Sequence, residues 1–252
     1  MMQLRPTFEK FYAHTKDVLA PGLKSSQWAY REMLFAGISE ETSWLDLGCG
    51  HQLFPKWMDT WEKDQQVLSA RSKTFVGIDY DLRSLREHQA LKNRVRGDIE
   101  RLPFKDQSFD LITANVVLEH VKNPVAVLKE VHRVLMPGGS FIFHTPNLLG
   151  YTTTAARLLP DTVKLKIVPY LQARPEADVF PTFYRFNTEA TVKTLAGEQG
   201  FAINKLEAVE TSAQTVMLGP IVVFELLWIR LLRLRLLKSL RTNLIAVLKK
   251  EP

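Results

Sequence analysis

The chain has 252 residues, 46% of them hydrophobic and 24% charged, with a formal net charge of +6. Such a composition builds a sizeable core and excludes disorder as the main state. The basic balance favours an anionic partner only weakly. A single cysteine, Cys49, excludes an intramolecular disulfide, and no Cys/His spacing suggests zinc.

The N-terminus, MMQLRPTFEKFYAHTK, lacks the apolar core of a signal peptide. The longest apolar stretch, Val216 to Ile229, is interrupted by Gly219, Pro220 and Glu225. It falls short of the roughly 20 residues that cross a bilayer. A cytoplasmic protein is expected, with peripheral membrane contact as an open alternative.

Residues 1–41 read as helical, with a break at Pro21-Gly22. SWLDLG is a short buried strand, followed by a turn and a helical stretch to about residue 70. TFVGIDYD is a second strand, and LRSLREHQAL a helix with Leu82, Leu85 and Leu91 as its apolar positions. RVRGDIE and SFDLITANVV supply a third and fourth strand. NPVAVLKEVHRVLMPGG reads as a helix capped by Asn123, with Pro124 in its first turn and Gly138-Gly139 at its end. SFIFHTPN is a fifth strand. Alternating strands and helices imply a parallel sheet with right-handed crossovers.

The alternation stops after the fifth strand. Residues 148–186 carry Pro160, Pro169, Pro175 and Pro181, which implies an irregular, partly helical insertion. NTEATVKTLAGEQG resumes a helix, capped at Asn187 or Thr188 and stopped at Gly200. FAINKLEAVE and RTNLIAVLKK supply the last two strands. Between them, residues 216–240 are rich in leucine and arginine. On a helical projection Arg230, Arg233, Lys238 and Arg241 share an arc, opposite Leu232 and Leu236. Arg235, Leu234 and Leu237 break that pattern, so packing on the core or on a second subunit stands beside membrane contact.

Ligands of such a sheet sit outside the carboxyl ends of its strands. Asp46, Asp79 and Asp98 fall near those ends, and Asp46 precedes a glycine turn, Gly48-Cys49-Gly50. Each aspartate taken alone has a structural alternative, starting a turn or capping a helix. Three around one turn would repel a pyrophosphate. They would accept from an ammonium, ribose hydroxyls and an adenine amine, and favour a sulfonium. The dinucleotide pattern G-x-G-x-x-G/A also fails, because position 53 is Leu53.

WLDLGCG, GIDYD, GDIERLPFKDQSFDLITANVVLEHV and VLKEVHRVLMPGGSFIFHTPN resemble, in order, the motifs of class I S-adenosylmethionine-dependent methyltransferases. They are most similar to the small-molecule branch that includes the quinone-biosynthesis enzymes. The resemblance is strong over residues 43–147 and loose elsewhere. It implies a Rossmann-like α/β three-layer sandwich with a seven-stranded, mostly parallel sheet. It further implies one methyltransferase domain over 1–252: a helical lid (1–41), a cofactor-binding core (43–147), the acceptor-site insertion (148–186) and a C-terminal half (187–252).

S-adenosylmethionine is then the co-substrate. Gly48 and Gly50 would let the backbone approach its methionine portion, around Cys49 as a small residue that fits the turn. Asp46 would hold the ammonium. Asp79 would chelate the ribose hydroxyls with Tyr80 flanking the adenine. Asp98 would accept from the adenine amine while Ile99 packs on the ring, and Asn115 would contact the methionine end. Gln27 and Tyr30 are candidate lid contacts. Gln52 departs from the pattern, where a third glycine is usual.

Methyl transfer can rest on positioning, with a general base needed only for an acceptor that carries a proton. His120 and His144 are the candidate bases, with His51 a third. For His120 a role in shaping the site carries more weight. No metal is implied. The fourth strand ends in ANVV rather than the Asn/Asp-Pro-Pro-Tyr associated with base amino groups, and aromatics do not interleave with the basic residues. Nucleic acid is therefore disfavoured, and a small or lipid-linked acceptor is expected. An RNA- or protein-directed methyltransferase and a non-catalytic binding scaffold remain as alternatives.

Overall fold

The computed structural model describes residues 6–158, 180–216 and 219–251. Helices α1 (Pro6–Leu19) and α2 (Ser26–Gly37) flank the break at Pro21-Gly22, where Gly22 adopts a φ of +72°. The alternating core then runs β1 (Ser43–Leu47), α3 (Trp61–Arg71), β2 (Thr74–Asp79), α4 (Leu82–Glu87), β3 (Asn93–Arg96), β4 (Phe109–Asn115), α5 (Pro124–Val134) and β5 (Leu135–Pro146). Beyond it lie α6 (Tyr151–Leu158), α7 (Glu189–Glu198), β6 (Phe201–Val209), α8 (Ile221–Leu232) and β7 (Asn243–Lys250).

The strands form one seven-stranded sheet in the order β3-β2-β1-β4-β5-β7-β6, with the pairs β1–β2, β1–β4, β2–β3 and β4–β5 all parallel. This is the mostly parallel α/β sheet expected from the sequence. Strand order reverses on either side of β1, so the crevice at the carboxyl ends of β1 and β4 is the topological switch point. Trp44, Leu45 and Leu47 of β1 are fully buried, and Trp44 stacks on Phe75 of β2 with ring centroids 3.8 Å apart. Leu45 and Leu47 share one core with Ile112 and Ala114 of β4, Phe141 and Phe143 of β5, and Val127, Leu128 and Val131 of α5. Burying an aliphatic or aromatic side chain of this size stabilises by roughly 1.5–3 kcal/mol, and this cluster fixes the strands that carry the acids.

Several boundaries differ from the sequence expectation. Asn123 does cap α5, its side chain accepting from the Ala126 amide. The helix ends at Val134, however, and not at Gly138-Gly139. Leu135 is already extended and fully buried as the first residue of β5. The glycines instead lie within the strand, beside a register shift against Phe109 and Leu111. A Cβ on Gly139 would stand 2.8 Å from the Met136 carbonyl oxygen, so the irregularity needs a residue without a side chain. Helix α4 is also shorter than expected, closing at Glu87. For α7 the cap is Thr188, in a capping box with Thr191, while the fully buried Asn187 donates to Thr145 Oγ1 at 2.7 Å.

The described residues fall into two compact units. One draws on Met1–Ser26, Pro146–Thr182 and Ala208–Asn243, the other on Gln27–Thr145, Phe183–Glu207 and Leu244–Pro252. The second carries most of the sheet and every acid singled out above. In the first, α1 packs on α8 around Ala20, Leu23, Ala213, Val222, Leu226 and Ile229. Residues 216–240 do not form the single helix assumed by the projection. Helix α8 ends at Leu232, Leu234 is extended, and residues 235–240 form 3-10 turns. The arc of basic residues is broken accordingly. Arg233 pairs with Glu210 at 2.8 Å and donates to the Pro21 carbonyl, and Arg241 donates to the carbonyls of Leu232 and Ala208. Of the proline-rich insertion, residues 159–179 lie outside the described residues; α6 is its described helix.

Candidate functional site

Parallel pairing sets the acids along one edge. Asp46 is in register with Gly77 of β2 and Thr113 of β4, Asp79 closes β2 opposite Arg96, and Asn115 closes β4 opposite His144 of β5. Asp98 follows β3 by two residues. The turn after β1 has the backbone its glycines allow, with φ of +59° at Gly48 and +55° at Gly50. Their surroundings differ. A Cβ on Gly48 would meet the Val117 side chain at 2.6 Å, whereas one on Gly50 would meet nothing within 4 Å. Gly48 is thus a packing glycine, and the space beside Gly50 is open to a ligand. We expect Gly48→Ala to destabilise the protein by roughly 1–2 kcal/mol in a urea titration, through overpacking and left-handed strain.

Asp79 is bound to this turn. Its Oδ2 accepts from the Gly50 amide at 2.8 Å and its Oδ1 from the Asp81 amide at 2.8 Å. The carboxylate is therefore fixed, and each oxygen keeps a free lone pair. Helix capping falls to Asp81 instead, which accepts from the amides of Arg83 and Ser84. Asp98 is exposed and accepts from the Glu100 amide at 2.9 Å, a turn-starting bond that occupies one lone pair. Tyr80 is exposed with the Arg96 guanidinium 5.7 Å from its ring centroid, and Ile99 packs against the core.

Asp46 is 3% exposed, and burial lifts its carboxyl from 3.8 to about 7, with the Asp79 charge adding to the rise. Thr113 donates to Asp46 Oδ1 and opposes the shift. Trp44 Nε1 in turn donates to Thr113 Oγ1 at 2.8 Å, which turns the hydroxyl proton towards the carboxylate. Thr113 lies outside the site residues expected from the sequence. Its signal was a hydroxyl inside an otherwise apolar central strand, DLITAN. Cys49 sits against β2, where a Cβ on Gly77 would lie 2.7 Å from its sulfur; burial and the two aspartates push its thiol well above the ordinary range. A buried thiol held in its neutral form is a poor nucleophile.

A carboxamide–imidazole group lies at the β4–β5 end. Gln27 and Asn115 exchange two hydrogen bonds of 3.0 and 3.1 Å, and His144 Nδ1 lies 2.8 Å from Asn115 Oδ1. A carbonyl oxygen only accepts, so Asn115 Oδ1 suits the His144 tautomer that carries its proton on Nδ1. Burial lowers the His144 pKa to about 4, so the ring is neutral at physiological pH. Val116, next in the chain, has a φ of +58°, a strained value for a β-branched residue. Its amide donates to the His144 carbonyl at 2.8 Å, and the turn it makes brings Val117 over Gly48. Backbone strain of this kind costs about 1–3 kcal/mol and concentrates at functional sites.

His120 belongs to a different group. It ends a 3-10 turn, half-buried, with Nε2 3.9 Å from Glu119 Oε1. Glu119 is buried and accepts from Thr145 Oγ1, which accepts from Asn187. Glu119 also lies outside the site residues expected from the sequence. Gln52 and His51 are half-buried on the glycine turn, and Gln52 Oε1 is buried without a hydrogen-bond partner. Among the described residues no cluster of His, Cys, Asp or Glu could hold a metal ion. A depression of about 290 Å³ lined by Met33, Thr42, Asp110 and Ser140 lies at the amino ends of the strands, away from the acids.

Residues 45–143 match the family model described as "Methyltransferase domain". The chain is 32% identical over 135 residues to a malonyl-[acyl-carrier protein] O-methyltransferase of Pseudescherichia vulneris, covering 52% of this chain and 47% of that protein. It is 31% identical over 121 residues to a demethylmenaquinone methyltransferase of Staphylococcus aureus, covering 46% and 47%. The chain thus spans about half the length of the curated relatives it matches. Among solved structures it is similar to a chain of the complex between the Haloferax volcanii Trm112 methyltransferase activator and a methyltransferase, with a TM-score of 0.59, 16% identity and coverage of 99% and 98%. An S-adenosylmethionine-dependent methyltransferase from Mesorhizobium loti gives a TM-score of 0.54 at 18% identity, covering 89% and 98%. At such identity these structures speak for the fold. Motif order, switch-point geometry and these likenesses agree: residues 45–143 match a methyltransferase domain, and the fold is similar to that of S-adenosylmethionine-dependent methyltransferases.

Proposed function

We propose that this chain transfers the methyl group of S-adenosylmethionine to a small, sugar-like or lipid-like acceptor, in the cytoplasm. The observation that carries this reading is the pair Asp46 and Asp79, on adjoining strands around a glycine turn that is open beside Gly50. Asp79, already fixed by two amides, offers its remaining lone pairs to the ribose hydroxyls. Asp46 faces the ammonium, and Gln52 Oε1 supplies the acceptor that a third glycine could not. Asp98 and Ile99 take the adenine, with Tyr80 at its edge, and Asn115 the methionine end.

The sulfonium supplies an activated methyl carbon: the acceptor's lone pair forms the new bond as the carbon–sulfur pair leaves with sulfur, giving a neutral thioether. Positioning within about 3–3.5 Å supplies much of the rate. For an acceptor that must lose a proton, His120 is the better-placed base, half-exposed beside the Glu119 carboxylate. His144 is buried and a weak base, and it orients Asn115 instead. Relatives named for malonyl-[acyl-carrier protein] and demethylmenaquinone support a small or lipid-like acceptor.

Incubation of the protein with methyl-labelled S-adenosylmethionine and a cell extract tests the reading. Label should enter the small-molecule or lipid fraction with matching release of S-adenosylhomocysteine. Label confined to protein or RNA would move the acceptor to a macromolecule, and no release at all would leave a binding scaffold.

A further inference from the structure

Helix α8 is apolar on both sides. Its inner side, with Val222, Leu226 and Ile229, packs against Ala20 and Leu23. Its outer side presents Ile221, Phe224, Leu227, Trp228 and Leu231, all exposed, with Phe224 at 74%. The apolar surface continues past the helix through Leu234 and Leu236, the latter 94% exposed. At the other end it continues through Phe8 of α1, whose ring lies 3.2 Å from where a Gly219 Cβ would be. Large apolar side chains gathered on one exposed helix face mark an interaction surface.

The charges around the strip are of one sign. Between residues 219 and 240 the sole carboxylate is Glu225. It is turned inward, accepting from the Tyr151 hydroxyl at 2.6 Å and from the amides of Gln214 and Thr215. Arg233 is neutralised by Glu210. Arg230, Arg235 and Lys238 are exposed and make no ion pair among the described residues. Helix α1 carries both signs, with Lys10 and Lys16 beside Glu9 and Asp17.

We propose that the outer face of α8 and the turns after it dock on an anionic lipid bilayer, lying in the plane of the interface. No helix among the described residues is long and apolar enough to cross a membrane. The 12 residues of α8 extend only about 18 Å, which suits a helix lying on the surface. Phe224, Trp228 and Leu231 enter the headgroup boundary, and the three cations meet anionic headgroups. The inward Glu225 is what permits this, because a carboxylate on the outer face would oppose both contributions. This proposal goes beyond methyl transfer and stands without it.

The test is co-sedimentation of the whole chain with phosphatidylcholine vesicles containing no or about 30% phosphatidylglycerol. We expect at least tenfold stronger partitioning onto the anionic vesicles, weakened by salt. Phe224→Glu/Leu231→Glu should lose that partitioning, while the circular dichroism spectrum and S-adenosylhomocysteine binding stay unchanged. Arg230→Gln/Lys238→Gln, which leaves the apolar face intact, should lose the preference for anionic over neutral vesicles. Equal partitioning of wild type and the glutamate variant would overturn the proposal. So would a wild-type dimer that ignores vesicles and becomes monomeric in that variant, since the face would then cover a second copy.

Discussion

Replacing Asp79 by alanine should weaken binding of S-adenosylhomocysteine about 10- to 100-fold, read by calorimetric titration. The carboxylate has two tasks. It holds the Gly50 and Asp81 amides at 2.8 Å each, and it presents its remaining lone pairs at the end of β2. Loss of a charged acceptor in such a place costs about 1.5–3 kcal/mol. Asp79→Asn separates the tasks. It retains one carbonyl acceptor for the turn but loses the charge and half the acceptor capacity, so its affinity should fall between wild type and alanine. Unchanged affinity in the alanine variant would mean that ribose is held elsewhere.

Asp46 should make binding and stability respond to pH in opposite directions. Its carboxyl titrates at about 7 in the folded protein against 3.8 unfolded. Between those values the folded state holds a proton that the unfolded state has lost, so stability falls as pH rises towards 7 and is level above it. The full penalty is on the order of 4 kcal/mol. Asp46→Asn keeps an acceptor for the Thr113 hydroxyl without the charge, and should therefore be the more stable protein at pH 8 in a denaturant titration. The ammonium of the ligand favours the ionised form. Affinity of the wild type should consequently rise about tenfold from pH 6 to pH 8, and the asparagine variant should bind weakly with little dependence on pH. A variant no more stable than wild type at pH 8, with the pH dependence intact, would remove Asp46 from the site.

The strands that matter for this site are legible as short apolar runs with an acid or amide at the last or next-to-last position, as in SWLDL, TFVGID and FDLITAN. Their order in the sheet is not, because pairing joins residues far apart in the chain; the motif resemblance supplied it. Gly138-Gly139 mimic a helix stop, but Leu135 is drawn into the core as the first residue of β5, about one turn earlier, and the glycines serve a bulge instead. Residues 216–240 defeated the helical projection for a related reason: α8 is apolar on both faces, and Arg233 and Arg241 are spent on internal acceptors. Burial of Asp46 was hidden as well, since the Thr113 and Trp44 bonds that support it form across two strands. Val116 runs against local preference altogether, as a β-branched residue with φ of +58°. The acids were visible from residue type and position, and their environments needed the fold.

A crystal of the protein soaked with S-adenosylhomocysteine tests the central claim most directly. The account predicts ribose hydroxyls within hydrogen-bond distance of the Asp79 carboxylate, the amino group towards Asp46, and backbone contact at Gly50. The same compound in the depression beside Met33 and Asp110, or a dinucleotide seated on the Gly48–Gly50 turn in its place, would contradict it.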